Sequence, residues 1–336
     1  MHPKSLFSNT PPARALLTRL ALALAVTLAV AGESAAQSAP FPSRPVTIVV
    51  PNAPGGAVDI LARLLERNLS DKWKQPVLVV YKAGAGTVLG TDFVAKAPAD
   101  GYTIGMVVTS HVINPSLRDN LPFDTLKDLT GVTMLATSPV VISAAPSLPA
   151  NNLKEVIELA KKQPGKISYA TPGSGSSMHL GGELLKTRAG IYMVHIPYRG
   201  SAGAYPDVFA GRVDLLIDPL FSSLPHIKAG RMKPIAVLSP NRVGIAPNIP
   251  TAVETLPGLT VESVFGAVVA SATPRDIVKK LSADMADAVQ SPEIRARMAD
   301  VGLTPAGTTP EQFDAFIKVE IEKWARVVKI SGAKSD

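Results

Sequence analysis

Ile48-Val49-Val50-Pro51-Asn52-Ala53-Pro54-Gly55-Gly56-Ala57-Val58-Asp59-Ile60 is the stretch on which the reading of this chain turns. A β-branched run stops at Pro51, two glycines follow, and apolar residues at Leu61, Leu64, Leu65 and Leu69 then recur at helical spacing. The pattern predicts a strand, a tight turn and a helix N-terminus. A helix start leaves backbone N–H groups without intrahelical partners and carries about half a unit of positive charge, so it attracts small anions. At Gly55 and Gly56 no side chain obstructs the approach.

Upstream, Lys4, Arg14 and Arg19 precede an apolar run over 20–31, broken only by Thr27, and Ser34-Ala35-Ala36 follows. This is the pattern of a secretory signal peptide over residues 1–36, cleaved after Ala36 so that the mature chain starts at Gln37. The run falls short of the ~20 apolar residues that a spanning helix needs. The chain has no cysteine, which excludes disulfides, thiolate metal sites, a cysteine nucleophile and a lipidated cysteine after the leader. An exported, soluble protein of a Gram-negative periplasm is expected.

Hydrophobic residues make up 46% and charged residues 18%, a globular balance, and the mature length suits two domains. The net charge of +7 falls to about +5 once the leader is removed. No basic run exceeds two residues and no aromatic-interleaved basic patch occurs, so no nucleic-acid partner is expected. The surplus charge is suited to steering anionic solutes.

Along the chain, strand 46–50, helix 59–69, strand 77–81, helix 88–97 and strand 102–108 alternate as in a parallel sheet flanked by helices. Apolar runs at 132–135 and 140–144 precede a helix opened by Asn152, with Glu155 completing a capping box. Strands near 167–170, 192–196, 213–217 and 235–238 then alternate with helices. Thr273-Pro274 and Thr309-Pro310 each set an N-cap before an N1 proline, Gln312 adds a second capping box, and Phe313, Ile317, Ile321, Trp324 and Val328 give the last helix one buried stripe. That helix is expected to dock on the first domain. Joints at Ser138-Pro139 and 247–250 suggest hinge crossings. The fold class expected is α/β with two domains, each a mixed, mostly parallel sheet flanked by helices. Domain 1 is discontinuous, over 37–138 and 250–336, and domain 2 covers 139–249.

Four turns follow predicted strands, where ligands bind in open α/β sheets: 51–59, 83–87, 109–114 and 171–179. They make candidates of Asn52, of Gly84 and Ala85, of Ser110 and His111, and of the hydroxyls of Thr171, Ser174, Ser176 and Ser177. Asp218, at a strand end, is a candidate for holding water or a ligand hydroxyl or amine, and Arg199 for pairing with a carboxylate. Asp100 and Asp214 are further acids to place, and Asp59 suits the first helical turn as a cap. Enzyme readings are weaker. Gly84, Gly86 and Gly90 nearly form a dinucleotide fingerprint, but the third glycine falls one place late. Serine and glycine over 173–177 are out of phase with a nucleophile elbow. The five histidines show no i, i+4 metal-ligand pairing with an acid partner. No catalysis, metal or cofactor is expected.

These motifs together resemble one family, the substrate-binding receptors of tripartite tricarboxylate transporters, or Bug family. The resemblance runs from Phe41-Pro42 over the mature chain. It is carried by 49–59, Ala83 to Gly86 with Gly90, Ala99-Asp100-Gly101-Tyr102-Thr103, His111 with Asn114-Pro115-Ser116-Leu117, Pro164-Gly165-Lys166, 171–180, Pro197-Tyr198-Arg199-Gly200 and Gly211-Arg212-Val213-Asp214. It implies a two-domain Venus-flytrap periplasmic binding protein without enzymatic activity. It also implies that a ligand carboxylate rests on the first turn, at Ala53, Pro54, Gly55, Gly56, Ala57 and Asp59, with the ligand's other end at 171–177. Three departures stand close to that site: Asn52 where an aromatic residue is usual, Tyr81-Lys82-Ala83 in place of Asn-Arg-Pro, and Pro172 in the fourth turn. The expected function is capture of a small organic carboxylate, a di- or tricarboxylate first and an aromatic carboxylate second, for delivery by a monomer to transporter membrane subunits. A ligand-sensing adaptor that presents its closed form to a two-component sensor is the alternative, and a serine hydrolase ranks below both.

Overall fold

In the computed structural model, which describes residues 40–198 and 200–333, Val46–Val50 forms strand β1, buried except at Thr47. The expected signal peptide and Arg199 lie outside the described residues. The chain divides into units 1–43 and 44–336, and the fold is that of the second. β1 pairs in parallel with β2 (Val77–Tyr81) and β3 (Thr103–Val108), setting Val46 opposite Val77 and Thr47 opposite Thr103. The crossovers are α1 (Ala57–Trp73) and α2 (Val88–Ala95). α1 buries Val58, Leu61, Leu65, Leu69 and Trp73, the stripe its spacing dictates.

β4 (Leu129–Ala144) is 16 residues long, about 50 Å at the usual ~3.3 Å rise. Its residues 129–139 pair antiparallel with β9 (Glu262–Ala270), which also pairs antiparallel with β3. Residues 140–144 pair with β7 (Leu215–Pro219) on one side and β8 (Lys233–Val237) on the other. β5 (Ser168–Thr171) lies parallel to both β7 and β6 (Val194–Pro197), while β10 (Thr304–Pro305) pairs with Ala136 and Thr137 of β4. The strand order is β2-β1-β3-β9-β4-β7-β5-β6, with β8 and β10 attached to β4. The fold is a mixed α/β sheet flanked by helices.

Two local expectations are corrected. The apolar runs at 132–135 and 140–144 are one strand, with Pro139 opposite Glu262 inside it. The N–H that proline lacks falls where pairing passes from β9 to β7, so no ladder is interrupted there. Thr273 does not cap α8 (Arg275–Gln290): its Oγ1 donates to Ala270 O at 2.7 Å, and the cap position belongs to Pro274.

The other start signals hold. Asn152 Oδ1 accepts from Glu155 N at 3.0 Å at the head of α4 (Leu153–Lys162), although Glu155 returns to the N–H of Asn151. After α8 and α9 (Pro292–Asp300), the last helix, Pro310–Ser331, opens on a complete Thr309–Gln312 capping box. That last helix buries Phe313, Ile317, Trp324 and Val327. It packs against helix 110–117, β4 and helix 177–189.

Candidate functional site

The first turn is open. Residues 53–56 are exposed, Gly55 has φ +96°, and a Cβ built on Gly55 or Gly56 meets no atom within 4 Å. Gly56 is the N-cap of the 17-residue α1 and has no side-chain cap. The first bonds of the helix run from Asp59 N and Ile60 N to Gly56 O, which leaves the N–H groups of Gly56, Ala57 and Val58 to other acceptors. Asn52 is half-buried, and its Oδ1 has no partner among the described residues.

Asp59 does more than complement the dipole. Its Oδ2 accepts from Gly55 N at 2.7 Å and its Oδ1 from the Tyr81 hydroxyl at 2.6 Å, while Arg63 Nη2 donates to that hydroxyl at 2.8 Å. Burial alone would raise the Asp59 carboxyl. The bonds from Tyr81 and Gly55 and the nearby Arg63 outweigh it and hold the carboxyl below its usual range. One backbone donor of the turn is thereby tied back into the fold.

The second turn carries three consecutive left-handed residues, Ala85, Gly86 and Thr87, with φ of 46°, 60° and 79°. For alanine and threonine this is strained backbone, of a kind that clusters at binding sites. Cross-links from α3 (Ser110–Leu117) hold it: Thr87 Oγ1 to Ser110 Oγ at 2.7 Å, and Asn114 Nδ2 to Gly86 O at 3.0 Å. Gly90 serves packing, since a Cβ there would stand 2.9 Å from Pro51 Cα. His111 is 4% exposed and turns away from these contacts, with neither ring nitrogen partnered among the described residues. Burial pushes its pKa down to about 4.

The fourth turn spends its hydroxyls internally. Thr171 Oγ1 meets His195 Nε2 at 2.7 Å. Ser176 Oγ donates to Gly173 O at 2.7 Å and caps α5 (Ser177–Ala189) by accepting from His179 N, and Ser177 Oγ turns to Met178 Sδ. Of the four candidate hydroxyls, Ser174 alone makes no hydrogen bond among the described residues. Beneath the turn, His179 Nδ1 accepts from Gly175 N at 3.1 Å, which places the proton of a neutral ring on Nε2. His179 stacks on His195 with centroids 4.0 Å apart, and His195 stacks on Tyr169 at 4.9 Å.

One histidine does have an acid at i+4, in a contact where no third His, Asp or Glu among the described residues gathers to hold a metal. His179 and Glu183 do stand four apart on α5, with Nε2 3.9 Å from Oε1. Glu183 Oε1 is also held by the Tyr169 hydroxyl at 2.6 Å and Lys186 Nζ at 2.8 Å. That spacing was the sequence signal for the cluster. Tyr81, by contrast, had none.

Asp218 is fully buried at the end of β7. It accepts from Ser201 and Tyr205 of α6 (Ser201–Phe209) and from Ser223 of α7 (Leu220–Lys228). Burial, only partly offset by those three hydroxyls, pushes its pKa up to about 6. Asp100 and Asp214 are taken up by Arg44 and Tyr102 N, and by Ser168. The structure therefore presents one open backbone turn, a cross-braced pair of turns, and a fourth turn buttressed by stacked rings.

Comparison with known proteins agrees with this architecture. The chain is 37% identical over 322 residues to Protein BugT of Bordetella pertussis, covering 95% of this chain and 99% of that one. Among solved structures, Rhodopseudomonas palustris Rpa4515 with adipate superposes with a TM-score of 0.78 at 32% identity, covering 88% of this chain and all of that one. MatC (Rpa3494) from the same organism, with bound malate, gives 0.74 at 30% identity, over 86% of this chain and all of that one. The model of the tripartite tricarboxylate transporter family receptor, TctC, matches residues 61–333, and the chain belongs to that family of solute-binding receptors.

Proposed function

We propose that this protein captures a small aliphatic di- or tricarboxylate in the periplasm and hands it to the membrane subunits of a tripartite transporter. The observation that carries the reading is the turn 51–59. It is an exposed start of a long helix with unobstructed glycines and N–H groups that have no acceptor among the described residues, and its own carboxylate is held aside by Tyr81 and Gly55. The adipate and malate bound by two relatives support the aliphatic class over an aromatic carboxylate. Binding alone is the work proposed, by a monomer without catalysis, after export and cleavage behind Ala36.

The site residues and lobes belong to the same proposal. Backbone groups of 53–57 take one carboxylate, and Ser174 with the second and fourth turns meets the rest of the ligand. The change of partner along β4 supports a first crossing at Pro139. The pairing of Val237 with Thr251 and the bond from Val261 N to Leu238 O support moving the second crossing from residue 250 to 261.

A thermal-shift screen of the chain from Gln37 against adipate, malate, citrate and terephthalate tests the reading. A ligand at 100 times its Kd stabilises the fold by about 2.7 kcal/mol. Stabilisation by aliphatic carboxylates that is lost in Gly56→Leu is the expected result. A folded protein that responds to no carboxylate would refute the assignment.

A further inference from the structure

His111 stands out because it is buried, polar and without a hydrogen-bond partner among the described residues, and because of where its ring lies. On one side it borders an apolar space of about 10 Å³ among Val107, Val264, Phe313 and Ile317. That is at or below the ~10–15 Å³ that one water needs, and its lining besides His111 is apolar except for Thr109, whose Oγ1 already accepts from Val264 N. On the other side it lines a cavity of about 120 Å³ with Thr125, Thr130, Ser271, Asp314 and Lys318. The cavity lies between the sheet, at the head of β4 and the tail of β9, and the helix Pro310–Ser331, here α10. No residue of the turn 51–59 lines it.

The geometry points to a second binding site in this cavity, for a small neutral hydroxylic guest, either water or a short polyol, held by His111 and Asp314. The space admits about four waters at the ~30 Å³ each occupies in the liquid. A neutral imidazole offers one N–H donor and one acceptor nitrogen at opposite edges of the ring, and a hydroxyl can meet either of them, accepting from the first or donating to the second. Asp314 Oδ1 already accepts from Gly131 N at 2.8 Å, so the other oxygen is available to a donor.

Charged guests fit less well. An anion would face the Asp314 carboxylate, with Lys318 exposed at the rim. A metal cation would find one carboxylate and one imidazole, and among the described residues no three His, Asp or Glu side chains gather to hold one. The energetic motive is the cost of leaving a nitrogen of a buried imidazole unbonded, which a hydroxylic guest in this cavity reduces.

The test is a high-resolution crystal structure of the mature chain grown without polyols, a second crystal soaked in ethylene glycol, and the same pair for His111→Leu. The expected result is an oxygen within ~2.7–3.2 Å of a His111 ring nitrogen, absent in the variant. Ethylene glycol replacing that oxygen identifies a polyol site, and water persisting in the soak identifies water as the guest. A dry cavity, or a ring turned to bond a protein group, overturns the proposal. Should His111→Leu not fold, ring 15N shifts of the labelled wild type, read beside its crystal structure, decide: an acceptor nitrogen that is hydrogen-bonded with no protein donor in reach supports the site, and an unbonded or protein-bonded one refutes it. Carboxylate binding enters none of these readouts, so the site stands or falls apart from the receptor reading.

Discussion

Both oxygens of Asp59 are taken from within the fold, by Gly55 N–H and the Tyr81 hydroxyl, so the carboxylate nearest the open turn is pinned and partly neutralised. Removing the phenol in Tyr81→Phe frees that oxygen beside the site where an anion would rest. Carboxylate affinity is then expected to fall about tenfold, the size of one charge-assisted bond, as read by calorimetric titration. An unchanged Kd would show that the tie has no bearing on capture. Asp218 makes a second prediction, in stability. Burial pushes its carboxyl up to about 6, above the ordinary aspartate value of 3.8, so the folded state holds the proton more tightly than the unfolded one. The sign follows: the stabilising contribution is full below about pH 4, is lost as pH rises through 6, and amounts to about 3 kcal/mol. The difference in melting temperature between wild type and Asp218→Asn should therefore vary over that window and level off above it. A difference that is flat from pH 4 to 7 would contradict the assignment.

At the scale of elements, Gly90 lets α2 approach Pro51 and the carbonyl of Lys82, where a Cβ would sit 2.9 and 3.0 Å from backbone atoms. Gly90→Ala should cost about 2 kcal/mol in a denaturant melt, because neither backbone yields easily. Gly56→Ala, whose Cβ enters open space, should cost almost nothing. Equal costs would remove the packing account of Gly90. What was legible in the sequence follows the same division. The strand–turn–helix at 46–73 and the Thr309–Gln312 box rest on residues a few places apart, and local pattern exposed them. Thr273 misled because a Thr-Pro pair has the same letters whether the hydroxyl caps forward or, as here, bonds back to Ala270. β4 looked like two runs because proline usually ends a strand, and only the exchange of β9 for β7 makes Pro139 harmless. The contacts that brace the candidate turns, Tyr81 to Asp59 and Thr171 to His195, join residues 22 and 24 apart, and nothing local marks them.

At the scale of the whole molecule, the sequence suggested lobes joined by hinges, yet the main hydrophobic cluster runs across them, while two smaller clusters around Leu216 and Leu220 lie wholly within 139–249. One continuous cluster includes Val49 of β1 and Val107 of β3, Val140 and Ile142 in the far half of β4, Leu185 on α5, and Phe313 and Trp324 on α10. α10 is the brace. Its first turns lie over β4 and α3, and the helix also packs on α5, so a single 22-residue element buries apolar surface from both halves of the chain. Structure formed in either half then removes from water surface that the other half also needs, the condition for all-or-none unfolding. We therefore predict one calorimetric transition for the ligand-free mature chain, with a van't Hoff enthalpy close to the calorimetric one. Trp324→Ala, which empties the fully buried centre of the brace at a cost of about 3–5 kcal/mol, should lower that single transition without splitting it. Two resolved endotherms in the wild type, or a variant in which only one half melts early, would show that the lobes hold separate cores and that α10 merely lies across them.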